Sequence, residues 1–278
     1  MIYSTEVTKY NHDKPEYLDR FQELIINENN DGTVFEFMKK FHNHRFVIKI
    51  VNIPQFLDNN KISSYVQFCK ENPEIEVVFC FYRLSDYGPR LLKLIRENEM
   101  QYFYADYVRS WDVLNGFYKE GVSDFYIVEE LGFDLPTVRK IVGNERNIRV
   151  IPHIAQSSFN NTPAMQKFFI RPDDLKEYEP YVDVLEFLNI QNPNASVTMA
   201  RIYKDEGWAG NLGEIISDFN ETIDNRDILD GFAERRLTCG RRCMRGNGCN
   251  MCVQYGETAK KIKEKGLLND KYHEFTDD

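Results

Sequence analysis

The chain has 278 residues, of which 42% are hydrophobic and 14% aromatic, and a formal charge of −9. A chain this long buries roughly three quarters of its unfolded surface, which excludes a small cross-linked scaffold, and its apolar content excludes disorder. The acidic balance argues against non-specific binding of nucleic acid over the whole surface.

The first strand is expected at Ile2–Thr8. Pro15 reads as a helix start, with Leu18, Phe21, Leu24 and Ile25 forming the buried stripe of that helix. Strands follow at Phe46–Asn52 and Glu76–Tyr82, separated by a helix carrying Ile62, Tyr65, Val66 and Cys69 on one face. Leu91, Leu92 and Ile95 stripe the next helix, ahead of a strand at Tyr102–Val108; Val113, Leu114 and Phe117 stripe the one after. Four further strands are expected at Asp124–Glu130, Arg149–Ala155, Lys167–Arg171 and Asp183–Leu188. Several of these are near-continuous apolar runs, which suit strands covered on both faces.

Alternating β and α units call for parallel strands joined by right-handed crossovers. Eight such strands make an α/β fold of the TIM-like (β/α) barrel type, complete or distorted, the economical answer. An open doubly wound sheet is the alternative, although no Gly-rich phosphate loop follows any strand. From about Gln191 the pattern turns helical. The expected division is therefore a barrel over 1–190 and a C-terminal helical extension over 191–278. No apolar run approaches the ~20 residues of a membrane span. The opening Met1-Ile2-Tyr3-Ser4-Thr5-Glu6 has no signal-peptide pattern, so no membrane association and a cytoplasmic location are expected.

The extension holds the most specific motif, Cys239, Cys243, Cys249 and Cys252, spaced C-x3-C-x5-C-x2-C. Thiolates clustered on a polar loop point to a metal. Zinc ribbons usually part their cysteine pairs by a dozen or more residues, whereas iron–sulfur loops gather cysteines over short runs. Gly240, Gly246 and Gly248 would let backbone N–H groups turn toward sulfur. A 4Fe–4S cluster is favoured, with structural zinc as the alternative. Arg235, Arg236, Arg241, Arg242 and Arg245 interleave with the first two cysteines. They are candidates to hold RNA or another anionic substrate, or else to compensate the charge of the metal loop. Cys69 and Cys80 read as buried structural thiols.

Phe169-Ile170-Arg171-Pro172-Asp173-Asp174-Leu175, then Tyr178-Glu179-Pro180-Tyr181-Val182-Asp183, resembles the R-P-x-x-L and Y-x-P-Y-V-D stretch of the collagenase-like family, peptidase family U-thirty-two. Gly121-Val122-Ser123-Asp124 leading into Val128-Glu129-Glu130-Leu131 is similar to its G-V-x-D and V-x-E-L unit, and Arg149–His153 to its strand ending in His. The resemblance spans roughly residues 45 to 190. It implies a barrel, and relatives that include iron–sulfur proteins hydroxylating RNA bases or quinone precursors. One departure stands out. After the strand-end His the family usually carries cysteine, whereas Ile154–Phe159 contains none, and the clustered thiols lie near the C-terminus instead.

Reactive groups of a barrel collect where strands end, which selects Arg83, Asp106, Glu129, Glu130, His153, Arg171 and Glu186. His153, Glu129, Asp106 and Arg171 are the candidate catalytic residues, with His153 suited to proton transfer near neutral pH. The expected function is an iron–sulfur enzyme hydroxylating an RNA base or related small substrate. A non-catalytic barrel whose zinc loop binds RNA or a protein is the second possibility, and a peptidase the third.

Overall fold

The computed structural model describes residues 1–8, 12–28, 33–51, 53–58, 61–82, 88–153, 168–187, 195–204, 208, 215, 231–240 and 252. Eight strands run through it: β1 (Ile2–Val7), β2 (Glu23–Asn27), β3 (Arg45–Ile50), β4 (Val77–Phe81), β5 (Gln101–Tyr104), β6 (Asp124–Tyr126), β7 (Asn147–Val150) and β8 (Val184–Phe187). All pair in parallel, in the order β5-β4-β3-β2-β1-β8-β7-β6. The two ends of that order meet. Ser123 N–H donates to the Tyr102 carbonyl at 2.8 Å, Val108 N–H donates to the Tyr126 carbonyl at 2.8 Å, and Val108 bridges Ile127 in parallel. The result is a nearly closed TIM-like barrel.

Two expected elements change. The helix that begins at Pro15 ends at Leu18 after one turn, and Glu23–Asn27 is a strand. Leu24-Ile25-Ile26 finds ladder partners on both sides, in β1 and β3. Conversely, residues 168–171 form no strand. Phe168, Phe169 and Ile170 are buried there, with Ile170 N–H donating to the Pro152 carbonyl at 2.9 Å. The strand expected over Asp124–Glu130 stops at Tyr126, and Glu129 opens a short helix, Glu129–Gly132.

Side-chain alternation sends every second residue of a strand into the barrel. One register row crosses four neighbouring strands and carries Glu186, Ser4, Glu23 and Arg45. The interior is thus charged where most barrels stack aliphatic layers. Arg149, fully buried, donates to Asp124 Oδ1 at 2.9 Å and pairs with Glu23. Arg45 reaches across from β3 to Asp124 at 3.0 and 3.2 Å and also pairs with Glu23. Ser4 Oγ donates to Glu23 Oε1 at 2.6 Å, and Ser123 Oγ to Asp124 Oδ2 at 2.7 Å. Burial alone would raise the Asp124 pKa, but Arg149 and Arg45 beside it hold it below the ordinary value. Rings cover the remaining side: the Arg149 guanidinium lies 4.8 Å from the Phe103 centroid and 5.5 Å from that of Tyr126.

The segment after β8 packs back on the barrel. Tyr203, at the end of the helix Ala195–Tyr203, donates its hydroxyl to the Pro152 carbonyl at 2.9 Å, and its ring meets Phe187. The helix Phe232–Leu237 lays Phe232 against Phe169. No described helix is long and apolar enough to cross a membrane.

Replacing Arg149 by Met would leave Glu23 and Asp124 short of a cation inside the barrel. Chemical denaturation should show a loss of about 3–5 kcal/mol, the usual result of breaking a buried ion pair from one side.

Candidate functional site

Above the charged floor, toward the C-terminal strand ends, the barrel opens into a cavity of about 450 Å³. Its lining includes Glu186 on β8, with Lys49 on β3 and Cys80 on β4. Tyr82, Asp106, Tyr107 and Arg109 form the rim where β4 and β5 give way to loops. These residues meet because each occupies an inward position on its strand or the first loop residues beyond it. Catalytic groups gather at this end of a parallel barrel, and a concave site with convergent polar groups is the default candidate.

Glu186 dominates the electrostatics. Burial, with smaller contributions from Glu23 and Glu6, pushes its pKa up to about 8, against the opposing pull of Lys49. The Arg149 guanidinium stands 3.6 Å from Glu186 Oε2, an ion-pair distance without a hydrogen bond. Arg149 is already engaged by Glu23 and Asp124. Among the described residues Glu186 Oε2 has no hydrogen-bond partner. Glu186 thus lines the cavity with its protonated form favoured at neutral pH, the form that can give up a proton. Lys49 goes the other way. Burial lowers its proton affinity, but Glu6 and other neighbours more than offset this and leave it raised, so the ammonium persists. Burial pushes the Cys80 thiol well above its ordinary pKa.

The residues expected from sequence disperse. Asp106 lies on the cavity rim. His153 does not: it is buried outside the barrel wall, stacked on Phe187 with centroids 6.0 Å apart and planes 9° apart. Burial lowers its pKa to about 4, and among the described residues its Nδ1 has no hydrogen-bond partner. Arg171 is buried and held by Asp174, its Nε donating to Oδ2 at 2.7 Å. Glu129 sits on the helix after β6 rather than on a strand. Arg83 lies outside the described residues. Sequence reasoning missed Lys49, Tyr82 and Tyr107 and gave Cys80 only a packing role. A lysine inside the apolar run Phe46–Ile50, and tyrosines closing strands near an arginine, were the available signals.

Around the cysteine motif, Arg235 is exposed, whereas Arg236 is fully buried, its guanidinium 4.3 Å from the Phe169 centroid and 4.8 Å from those of Phe133 and Phe232. Arg241, Arg242, Arg245, Cys243 and Cys249 lie outside the described residues. Cys239 is half-buried and Cys252 buried, and both lie within electrostatic range of Arg236. Gly240, with a positive φ of 53°, donates its N–H to the Phe133 carbonyl at 3.0 Å. Phe133 follows β6 and Phe169 follows β7, so the motif begins on the face of the barrel onto which the cavity opens. Among the described residues no three His, Cys, Asp or Glu side chains could hold a metal.

No family model matches the chain. A protein of Methanocaldococcus jannaschii named as an uncharacterized protease is 35% identical over 101 residues, covering 34% of this chain and 29% of that relative. The chain thus matches less than a third of that relative's length. Among solved structures, one described as native KDPGal covers 74% of this chain and 94% of its own, with 6% identity and a TM-score of 0.46. Tryptophan synthase from M. tuberculosis covers 74% and 88%, with 7% identity and a TM-score of 0.44. Resemblance at this level carries no argument about chemistry.

Two pH effects follow. Folding holds the Glu186 proton up to about pH 8, whereas an unfolded glutamate releases it near 4.5, so this site's contribution to stability falls as pH rises through that window. Glu186→Gln should flatten that fall and raise Tm at pH 8 by several degrees in thermal melts. His153 has the opposite sign: unfolded histidine binds a proton near 6.5 and the folded one only near 4, so stability falls as pH drops between them. His153→Phe, which keeps a ring on Phe187, should remove about 2–3 kcal/mol of that acid sensitivity.

Proposed function

We propose that this chain is a cytoplasmic iron–sulfur barrel enzyme that hydroxylates an RNA base or a related small planar substrate at its C-terminal mouth. The observation that carries this is Glu186, a carboxyl on the lining of a cavity of about 450 Å³ whose pKa burial pushes up to about 8. In that role Glu186 donates its proton to an acceptor atom of the bound substrate. The Lys49 ammonium then balances the carboxylate left behind, and Asp106 and Arg109 at the rim orient polar groups of the substrate.

Cys239, Cys243, Cys249 and Cys252 are the residues that would hold a 4Fe–4S cluster. The donor set suits it: four thiols in fourteen residues, with Cys239 and Cys252 both near one buried guanidinium that would offset thiolate charge. Such a cluster supplies one-electron chemistry when bound. The name of the archaeal relative motivates a hydrolytic alternative. The cavity thiol Cys80 is a poor nucleophile for it, because burial disfavours the thiolate. A structural zinc in the same loop, on a barrel that only binds, is the remaining alternative.

Metal and sulfide analysis of anaerobically purified protein separates these. A brown protein with labile sulfide, lost in Cys239→Ser and Cys252→Ser, is the expected outcome; colourless protein with stoichiometric zinc removes the redox reaction. Nucleoside mass spectrometry of RNA from cells lacking the gene should then lose one hydroxylated nucleoside. Wild type should restore it, and Glu186→Gln should restore less than about a hundredth.

A further inference from the structure

We infer that Tyr82 and Tyr107 form an aromatic clamp that takes one unpaired nucleobase of a single-stranded RNA into the barrel. The inference rests on the function proposed above and concerns how the same cavity recognises its substrate.

Large apolar or aromatic side chains are rarely left exposed on this surface. Among the described residues five stand out, and two of them, Tyr82 at 45% and Tyr107 at 38% exposure, flank one cavity. They come from adjacent positions in the fold, just past the ends of β4 and β5. The Tyr107 ring is held edge-on to Tyr126, with centroids 5.5 Å apart and planes at 86°, so its orientation is set by packing below it. Tyr126 in turn lies over Arg149 in the barrel floor. The rim also carries Arg109, and Lys49 lies inside.

Aromatic faces interleaved with cations are what an unpaired base and its phosphate require: every base has a face to stack, and the phosphates need positive charge nearby. A base in a duplex cannot use this site. Glu186 lies inside the barrel among β-strand side chains, so a reacting ring has to leave its own stack and enter edge first. The acidic surface elsewhere confines any nucleic-acid contact to a local patch. Arg109 at the rim and Lys49 within the cavity supply one.

The test is equilibrium binding, by fluorescence anisotropy, of a fluorescein-labelled oligouridylate to the metal-loaded protein, single-stranded and annealed to its complement. The single strand should bind at least about tenfold tighter than the duplex. Tyr82→Ala and Tyr107→Ala should each weaken it by about tenfold or more, while Tyr82→Phe and Tyr107→Phe retain affinity, because the ring suffices. Tyr118→Ala, an equally exposed tyrosine outside the cavity, controls for general loss of surface aromatics. Wild-type affinity in both alanine variants, equal binding of duplex, or loss in the phenylalanine variants each overturns the clamp, as does failure of wild type to bind the single strand. None of these decides the function proposed above, which stands or falls on the cluster and on the Glu186→Gln nucleoside result.

Discussion

Everything at the mouth of this barrel depends on the charge balance in its floor. Glu23 and Asp124 face Arg45 and Arg149 inside a nearly closed ring of strands, with Ser4, Ser123 and Asn147 supplying further hydrogen bonds. Groups so deeply desolvated are tolerated only when each has partners. The four residues come from β2, β3, β6 and β7, so the network ties opposite walls of the barrel together. It also sets the register of those strands, since a one-residue slip would turn a charge outward and leave its partner unmatched.

That commitment determines the chemistry above. Glu186 belongs to the same register row as Ser4, Glu23 and Arg45, yet the nearest guanidinium is already engaged. A carboxyl buried beside Glu23, with no hydrogen bond to one oxygen, keeps its proton past neutrality. Lys49, three strands along the sheet on β3, keeps its charge because Glu6 and other neighbours together outweigh burial. A neutral acid and a permanent cation thus share one cavity, each placed in its protonation state by the groups beneath.

The start of the cysteine motif is built into the barrel by different means. Arg236 lies among the rings of Phe133, Phe169 and Phe232, and Gly240 is pinned to the carbonyl of Phe133. Phe168 reaches the same region across Gly132, where an added Cβ would fall 2.6 Å from its ring. The segment over residues 168–171 is therefore apolar because it forms a seat for the C-terminal arm. Its apolar sequence mimics a strand, while the true second strand, Glu23–Asn27, was disguised by a chance helical spacing of Leu18, Phe21, Leu24 and Ile25.

Much of the architecture was legible by itself in the residues. Runs such as Phe46–Ile50 and Val77–Phe81 are apolar throughout because both faces of a parallel strand are covered, and their alternation with amphipathic helices admits few topologies. The cysteine spacing was equally plain, since four thiols close in sequence need no fold to bring them together. The candidate site was legible only in fragments. Asp106 and Glu186 stood out as strand-end charges, and His153 stood out for the same reason while lying on the outer side of the wall. Local periodicity states that a residue is in a strand; whether it faces inward depends on parity, and whom it meets depends on register and closure. Those are properties of eight strands packed together, so only the tertiary structure decided that Glu186, Lys49 and two tyrosines share one cavity.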